Sequence, residues 1–207
     1  MRFIGKGALA LLSALMVVGV MAGTAFAGEL WENVQVSPAP VNFTGKATNV
    51  KFTSATGEWV CSGTSTLVGQ FFNAKEANVS INYKGCGGLG IKEEFSSTPL
   101  RGRIGYVNRE SEVALRLEPV EGSIWAENFK PGTPLTNKIF GKLTPYETKT
   151  SKFTLSYEAK ETQQGLRRFM FSSQPLEQLE LNGQLLGVKA TWEIKTEAEK
   201  PITIEHG

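Results

Sequence analysis

The chain has 207 residues, 41% of them apolar and 20% charged, with 22 Lys and Arg against 20 acidic residues. That length suits one domain or two small ones, and the apolar fraction excludes wholesale disorder. The near balance of charge gives no basic surplus for nucleic-acid binding. There is no aspartate, so every acid is a glutamate, and His206 is the single histidine. A Ser-His-Asp triad cannot be assembled from this inventory.

The first segment reads as an export signal. Arg2 and Lys6 precede an uncharged apolar run from Ala8 to Ala22, and Ala25-Phe26-Ala27 follows. A basic start, an apolar middle and small residues at the cleavage positions define a secretory signal peptide, with cleavage after Ala27. The apolar run falls short of a comfortable ~20-residue membrane span. Removing residues 1–27 takes away two basic residues and leaves the mature chain formally neutral. No second apolar run is long enough to span a bilayer, so the mature chain is expected to be secreted, extracellular and without a transmembrane segment.

Residues 28–43 read as a lead-in ending in Pro38 and Pro40, with a short edge strand at most, because proline donates nothing to a ladder. From residue 44 to 207 the dominant period is two. Val50 and Phe52 alternate with polar neighbours, as do Val79, Ile81 and Tyr83. The same pattern recurs at Val113, Leu115 and Leu117, at Phe153, Leu155 and Tyr157, and at Val188, Ala190, Trp192 and Ile194. Such alternation marks antiparallel strands with one face buried. Asn182-Gly183 between two apolar runs is a strong hairpin signal. Glu121-Gly122, Pro131-Gly132 and the polar stretch Asn108 to Ser111 mark further turns, and helical periodicity is scarce. The expectation is one all-β domain, an antiparallel sandwich or barrel of about ten strands.

Cys61 and Cys86 are the only cysteines, 25 residues apart. An exported chain with an even count is expected to join them in one disulfide. Two thiols and a terminal histidine do not make a structural zinc site, and calcium loops lean on the aspartate this chain lacks. No metal or other cofactor is therefore expected. Gly85, Gly87 and Gly90 match a dinucleotide fingerprint in spacing, but no helix is expected after them, so the stretch reads as a tight turn beside the disulfide.

No catalytic constellation is visible. Glu93 and Glu94 are adjacent and face opposite ways on a strand, and Glu118 and Glu121 flank a turn. A glutamate-only hydrolase is kept as an alternative. Among the tryptophans, Trp192 is in phase with the core, and Trp59 is in phase with Cys61 and is expected to pack on the bridge. Trp125 is out of phase with Ile124 and Ala126, and Trp31 lies in the lead-in. These two are the candidate ligand contacts, because an exposed indole is a stacking platform for sugar. Leu166 to Phe169 carries Arg167 and Arg168 and reads as a charged strand edge. Asn42-Phe43-Thr44 and Asn78-Val79-Ser80 fit the N-glycosylation pattern.

Several motifs then look familiar. These are Lys84-Gly85-Cys86 with its glycine-rich turn, the run from Leu100-Arg101-Gly102-Arg103-Ile104-Gly105 to Tyr106-Val107-Asn108, the alternation from Val113 to Pro119, and Gly141-Lys142-Leu143-Thr144-Pro145 leading into Ser151 to Leu155. Together they resemble uncharacterised secreted β-rich proteins of soil actinobacteria. The chain departs from that pattern at Ile91 to Glu93 and at Phe129-Lys130, where those proteins often carry extra cysteines. The resemblance implies a bacterial, exported β domain and brings no activity and no site residues. The reading is a secreted, non-enzymatic binding or envelope-associated module. Its expected partner is a polysaccharide or another cell-envelope component, with a carbohydrate-binding module using exposed Trp as the sharper form.

Overall fold

The computed structural model describes residues 33–88, 91, 93–108, 112–170 and 176–207. The segment read as an export signal and Trp31 lie outside the described residues. Among the described residues twenty strands follow in chain order. They are β1 Val34–Ser37, β2 Val41–Ala47, β3 Val50–Ser54, β4 Gly57–Cys61, β5 Ser65–Phe71, β6 Glu76–Lys84, β7 Cys86–Gly87, β8 Glu94–Ser96, β9 Leu100–Asn108 and β10 Glu112–Pro119. The series continues with β11 Ile124–Lys130, β12 Thr133–Thr136, β13 Ile139–Thr144, β14 Lys152–Tyr157, β15 Ala159–Lys160, β16 Gln163–Gln164, β17 Glu180–Leu181, β18 Gln184–Leu185, β19 Gly187–Thr196 and β20 Thr203–His206.

Eight of these close an antiparallel barrel in the order β2, β5, β6, β9, β10, β13, β14, β19, with β19 returning to β2. Spatial neighbours are successive in the chain once the short strands are set aside. The barrel is thus an up-and-down meander, which leaves no free edge in the closed wall. Of the two architectures expected, sandwich or barrel, the chain forms the barrel. Its first wall strand begins at Val41, inside the stretch read as lead-in, and β1 pairs with β20 instead of standing as an edge.

Period-two patterning dictates the inside. Phe43 and Ala47, Leu67 and Phe71, Val79, Ile81 and Tyr83, Ile104, Leu115, Leu143, Leu155 and Trp192 all point inward and are buried in one continuous core. Glycines face some of the largest of these side chains. A Cβ on Gly69 would meet the Phe43 ring at 2.5 Å, and one on Gly141 would meet Leu155 at 2.5 Å. Large and small residues alternate to fill the tapering interior of a small barrel. On the outside Asn42, Thr44, Lys46, Gln70, Asn78 and Ser80 are exposed, the reverse of a lipid-facing barrel.

The two barrel ends differ. At the lower end the wall strands are joined by the short stretches 72–75 and 145–151, and 109–111 joins β9 to β10 outside the described residues. The β1–β20 ribbon closes this end. It buries Val34, Val36, Ile202 and Ile204 and is tied to the lower connections by Val36 N–H to Ala74 O at 2.6 Å and Glu147 N–H to Ile204 O at 2.7 Å. His206 sits opposite Val34 in that ribbon.

At the upper end every connection is long and carries extra strands. β2 runs on into β3 past Asn49, whose φ is 54°, and β19 pairs with β2 along its lower half and with β3 along its upper half. The β3–β4 arm is stapled to β7 by the Cys61–Cys86 disulfide, as the sequence led us to expect. The strands β11, β12, β17 and β18 form a small sheet over this end, with hairpins at Pro131-Gly132 and Asn182-Gly183. Asn182 and Gly183 both take positive φ, 53° and 73°, as a two-residue hairpin of this type requires.

One expectation about the outer wall fails. Leu166 to Phe169 forms no strand edge. Phe169 is buried on the outside of the barrel against Phe140, ring centroids 5.1 Å apart, with the Arg116 guanidinium 5.8 Å over its ring. Arg116, polar and outward in the alternation, is therefore 5% exposed and paired with Glu118 at 2.8 Å. Glu118 and Glu177 both hold Lys138, extending the ion pairs along the covered wall.

Candidate functional site

Three segments that are distant in the chain meet outside the upper wall. β6 supplies Asn82, β8 and the residues after it supply Glu94, Ser96, Ser97 and Thr98, and β11 supplies Glu127. Together they line an open groove of about 490 Å³, floored by Phe95. β8 adds to β6 with Asn82 opposite Ser96 and Lys84 opposite Glu94. Thr98 then docks β11, its N–H donating to Trp125 O at 2.7 Å and its hydroxyl to Ile124 O at 2.7 Å.

The groove side chains carry amide, hydroxyl and carboxylate groups. Asn82 Nδ2 donates to Glu94 Oε1 at 2.9 Å and to Ser96 Oγ at 3.2 Å, while Asn82 Oδ1 is buried without a partner. Asn82's hydrogen bond is the leading cause that holds the Glu94 carboxyl below its ordinary value; burial opposes it, and the charge and hydrogen bond of Lys84 add to the lowering. Glu94 is thus a firm acceptor and a poor proton donor. Ser97 accepts the Ile81 N–H at 3.0 Å, which ties the groove floor to the barrel wall. Among the described residues no three His, Cys, Asp or Glu side chains gather into a metal-binding group. No helix among them is long and apolar enough to cross a membrane.

Of the tryptophans, Trp192 is buried inside the barrel as its phase implied, and Trp59 is 4% exposed. Trp59 packs edge-on against Phe129 at 5.6 Å and covers Gly88, two residues past Cys86. Trp125 corrects the expectation of an exposed stacking ring, because it is 0% exposed. β11 pairs with β12 through two register shifts, so strict alternation breaks and both Trp125 and Ala126 turn inward while Ile124 is 38% exposed. Glu93 and Glu94 were the pair noticed in the sequence, and the groove takes only Glu94 of them. Asn82, Ser96 and Glu127 carried no local signal, since β-pairing alone brings them together. No family model, curated protein or solved structure matches this chain.

Proposed function

We propose that this chain is a secreted, non-enzymatic binding domain whose ligand face is the Asn82–Glu94–Glu127 groove. Export follows cleavage behind Ala27. The buried Cys61–Cys86 bridge supports that reading, because such bonds persist in oxidising compartments. The partner is a polysaccharide or another hydroxyl-rich component of the cell envelope. The observation that carries this is the chemistry of the lining. Carboxylate and amide oxygens beside hydroxyls suit sugar hydroxyls, which both donate and accept, and among the described lining residues none is a cation, with Lys84 beside them at 3.5 Å from Glu94. With Trp125 inside the core, recognition rests on hydrogen bonds in the groove and not on stacking by that ring.

Thermal unfolding of the purified, oxidised protein against a panel of polysaccharides and oligosaccharides tests the proposal. A ligand at 100 times its dissociation constant adds about 2.7 kcal/mol, a rise of roughly 5–11 °C for a domain of this size. Ser96→Ala and Glu127→Gln should remove the rise. A flat panel rejects the polysaccharide reading. The hydrolase alternative draws on the fact that Glu94 and Glu127 share one groove. A glycosidase needs one carboxyl kept protonated, and Glu94 is pushed the other way. Release of reducing sugar from a panel member would decide for it.

A further inference from the structure

Four aromatic side chains with polar handles gather inside the upper barrel: Tyr83 from β6, Trp125 from β11, Tyr157 from β14 and Trp192 from β19. All four are essentially without solvent contact. Tyr83 and Trp192 pack edge to face at 6.0 Å. Trp125 acts on the Tyr83 hydroxyl as a hydrogen-bond donor, and Tyr157 feels the charge Tyr83 would carry. Yet Trp192 Nε1 and the Tyr157 hydroxyl are buried with no hydrogen-bond partner. Buried polar atoms in folded proteins are almost always paired. Two orphans in one place would forfeit a sizeable share of a domain's stability.

We infer that the upper barrel interior is a binding site for a small neutral oxygen-bearing guest, held by Trp192 and Tyr157 beside the Trp125–Tyr83 pair. Indole N–H groups only donate, so the guest must accept. No charged side chain belongs to the cluster, and burying an unpaired charge there is prohibitive, so the guest is neutral. Burial pushes both phenols well above their ordinary value, so each keeps its proton to offer. Phe52, Phe95 and Phe129 crowd the rest of this end, with Tyr83 stacked on Phe95 at 4.6 Å. Either water or a small alcohol or carbonyl compound supplies that chemistry. The site is separate from the outer groove and stands whether or not the groove binds a polysaccharide.

Tyr157→Phe tests this in the full chain, because it deletes one hydroxyl and keeps the ring. If the hydroxyl bonds a guest, the melting temperature at neutral pH falls by about 2–4 °C, the shift of one lost hydrogen bond in a domain of this size. A melting temperature unchanged or raised overturns the inference, since removing an unpaired buried hydroxyl costs nothing. A crystal structure of the wild type then identifies the occupant within hydrogen-bond reach of Trp192 Nε1. A single isolated peak, with the native mass equal to that of the chain, assigns water. Extended density with added mass assigns an organic guest.

Discussion

The two ends of the barrel are built from the same eight strands and differ in almost everything else. The lower end has short connections and a purely apolar floor of Phe43, Phe71 and Phe153 beneath the β1–β20 ribbon. The upper end carries the stapled arm, the small sheet, the groove and the buried hydroxyl and indole groups. The difference teaches a division of labour. The floor holds the closed wall together through side chains with no polar atom to satisfy. The upper end accepts long insertions and unpaired polar groups, which is where recognition belongs in a rigid scaffold.

The largest effect should come from breaking the floor. Phe71 is fully buried, 4.9 Å from Phe43 and 6.3 Å from Phe153. Phe71→Ala should cost about 3–5 kcal/mol, read from urea unfolding, and amides of β5, β6 and the β3–β4 arm should lose protection together. Phe52 is equally buried but stands on β3 at the upper end. In Phe52→Ala the arm should exchange before the β5–β6 ladder does. Equal loss of protection in both regions of that variant would erase the distinction between the ends.

The staple offers a slightly smaller handle. The bridge closes a loop of sequence separation 25, for which chain entropy gives about 3.5 kcal/mol. Cys61→Ala with Cys86→Ala should therefore lower the unfolding free energy measured in urea by that amount. Because the bridge joins β4 to β7 and touches no wall-to-wall pairing, the closed barrel should survive its loss. Far-ultraviolet circular dichroism of the double variant at low denaturant checks this, and a collapse of the strand signal would mean the arm supports the wall.

The wall strands were legible in the sequence, and the β1–β20 ribbon and the upper end much less so. Alternation marks a strand wherever pairing is regular, which is why β6, β10, β14 and β19 were readable from Val79, Val113, Phe153 and Val188 onward. It misleads where register shifts, as at Trp125, and where a loop covers the outer face, as at Arg116 under Phe169. Closure into a barrel depends on β19 finding β2 across most of the chain, a non-local pairing with no local signature. The groove has the same origin. Its residues are ordinary surface polar residues until β8 adds to β6 and Thr98 docks β11.

The smallest effect per unit change is alkaline, and two of the three tyrosines behind it stand at the upper end. Tyr83 and Tyr157 there, and Tyr146 in the lower connection, have pKa values raised above the ordinary 10.0, with burial the leading cause for each. Below pH 10 both states of the chain keep these protons, and the three groups contribute no pH dependence. Above it the unfolded chain releases them while the folded chain does not, so stability falls as pH rises. Each tyrosine contributes a slope of up to about 1.4 kcal/mol per pH unit. Urea unfolding between about pH 10 and pH 11.5 should therefore show a steep decline, and Tyr157→Phe should remove about a third of it. Phe71→Ala should shift the whole curve down without changing its slope, since Phe71 itself does not titrate. A slope unchanged in Tyr157→Phe would place the alkaline sensitivity outside the upper interior, and the two ends would no longer differ in the way their buried polar groups imply.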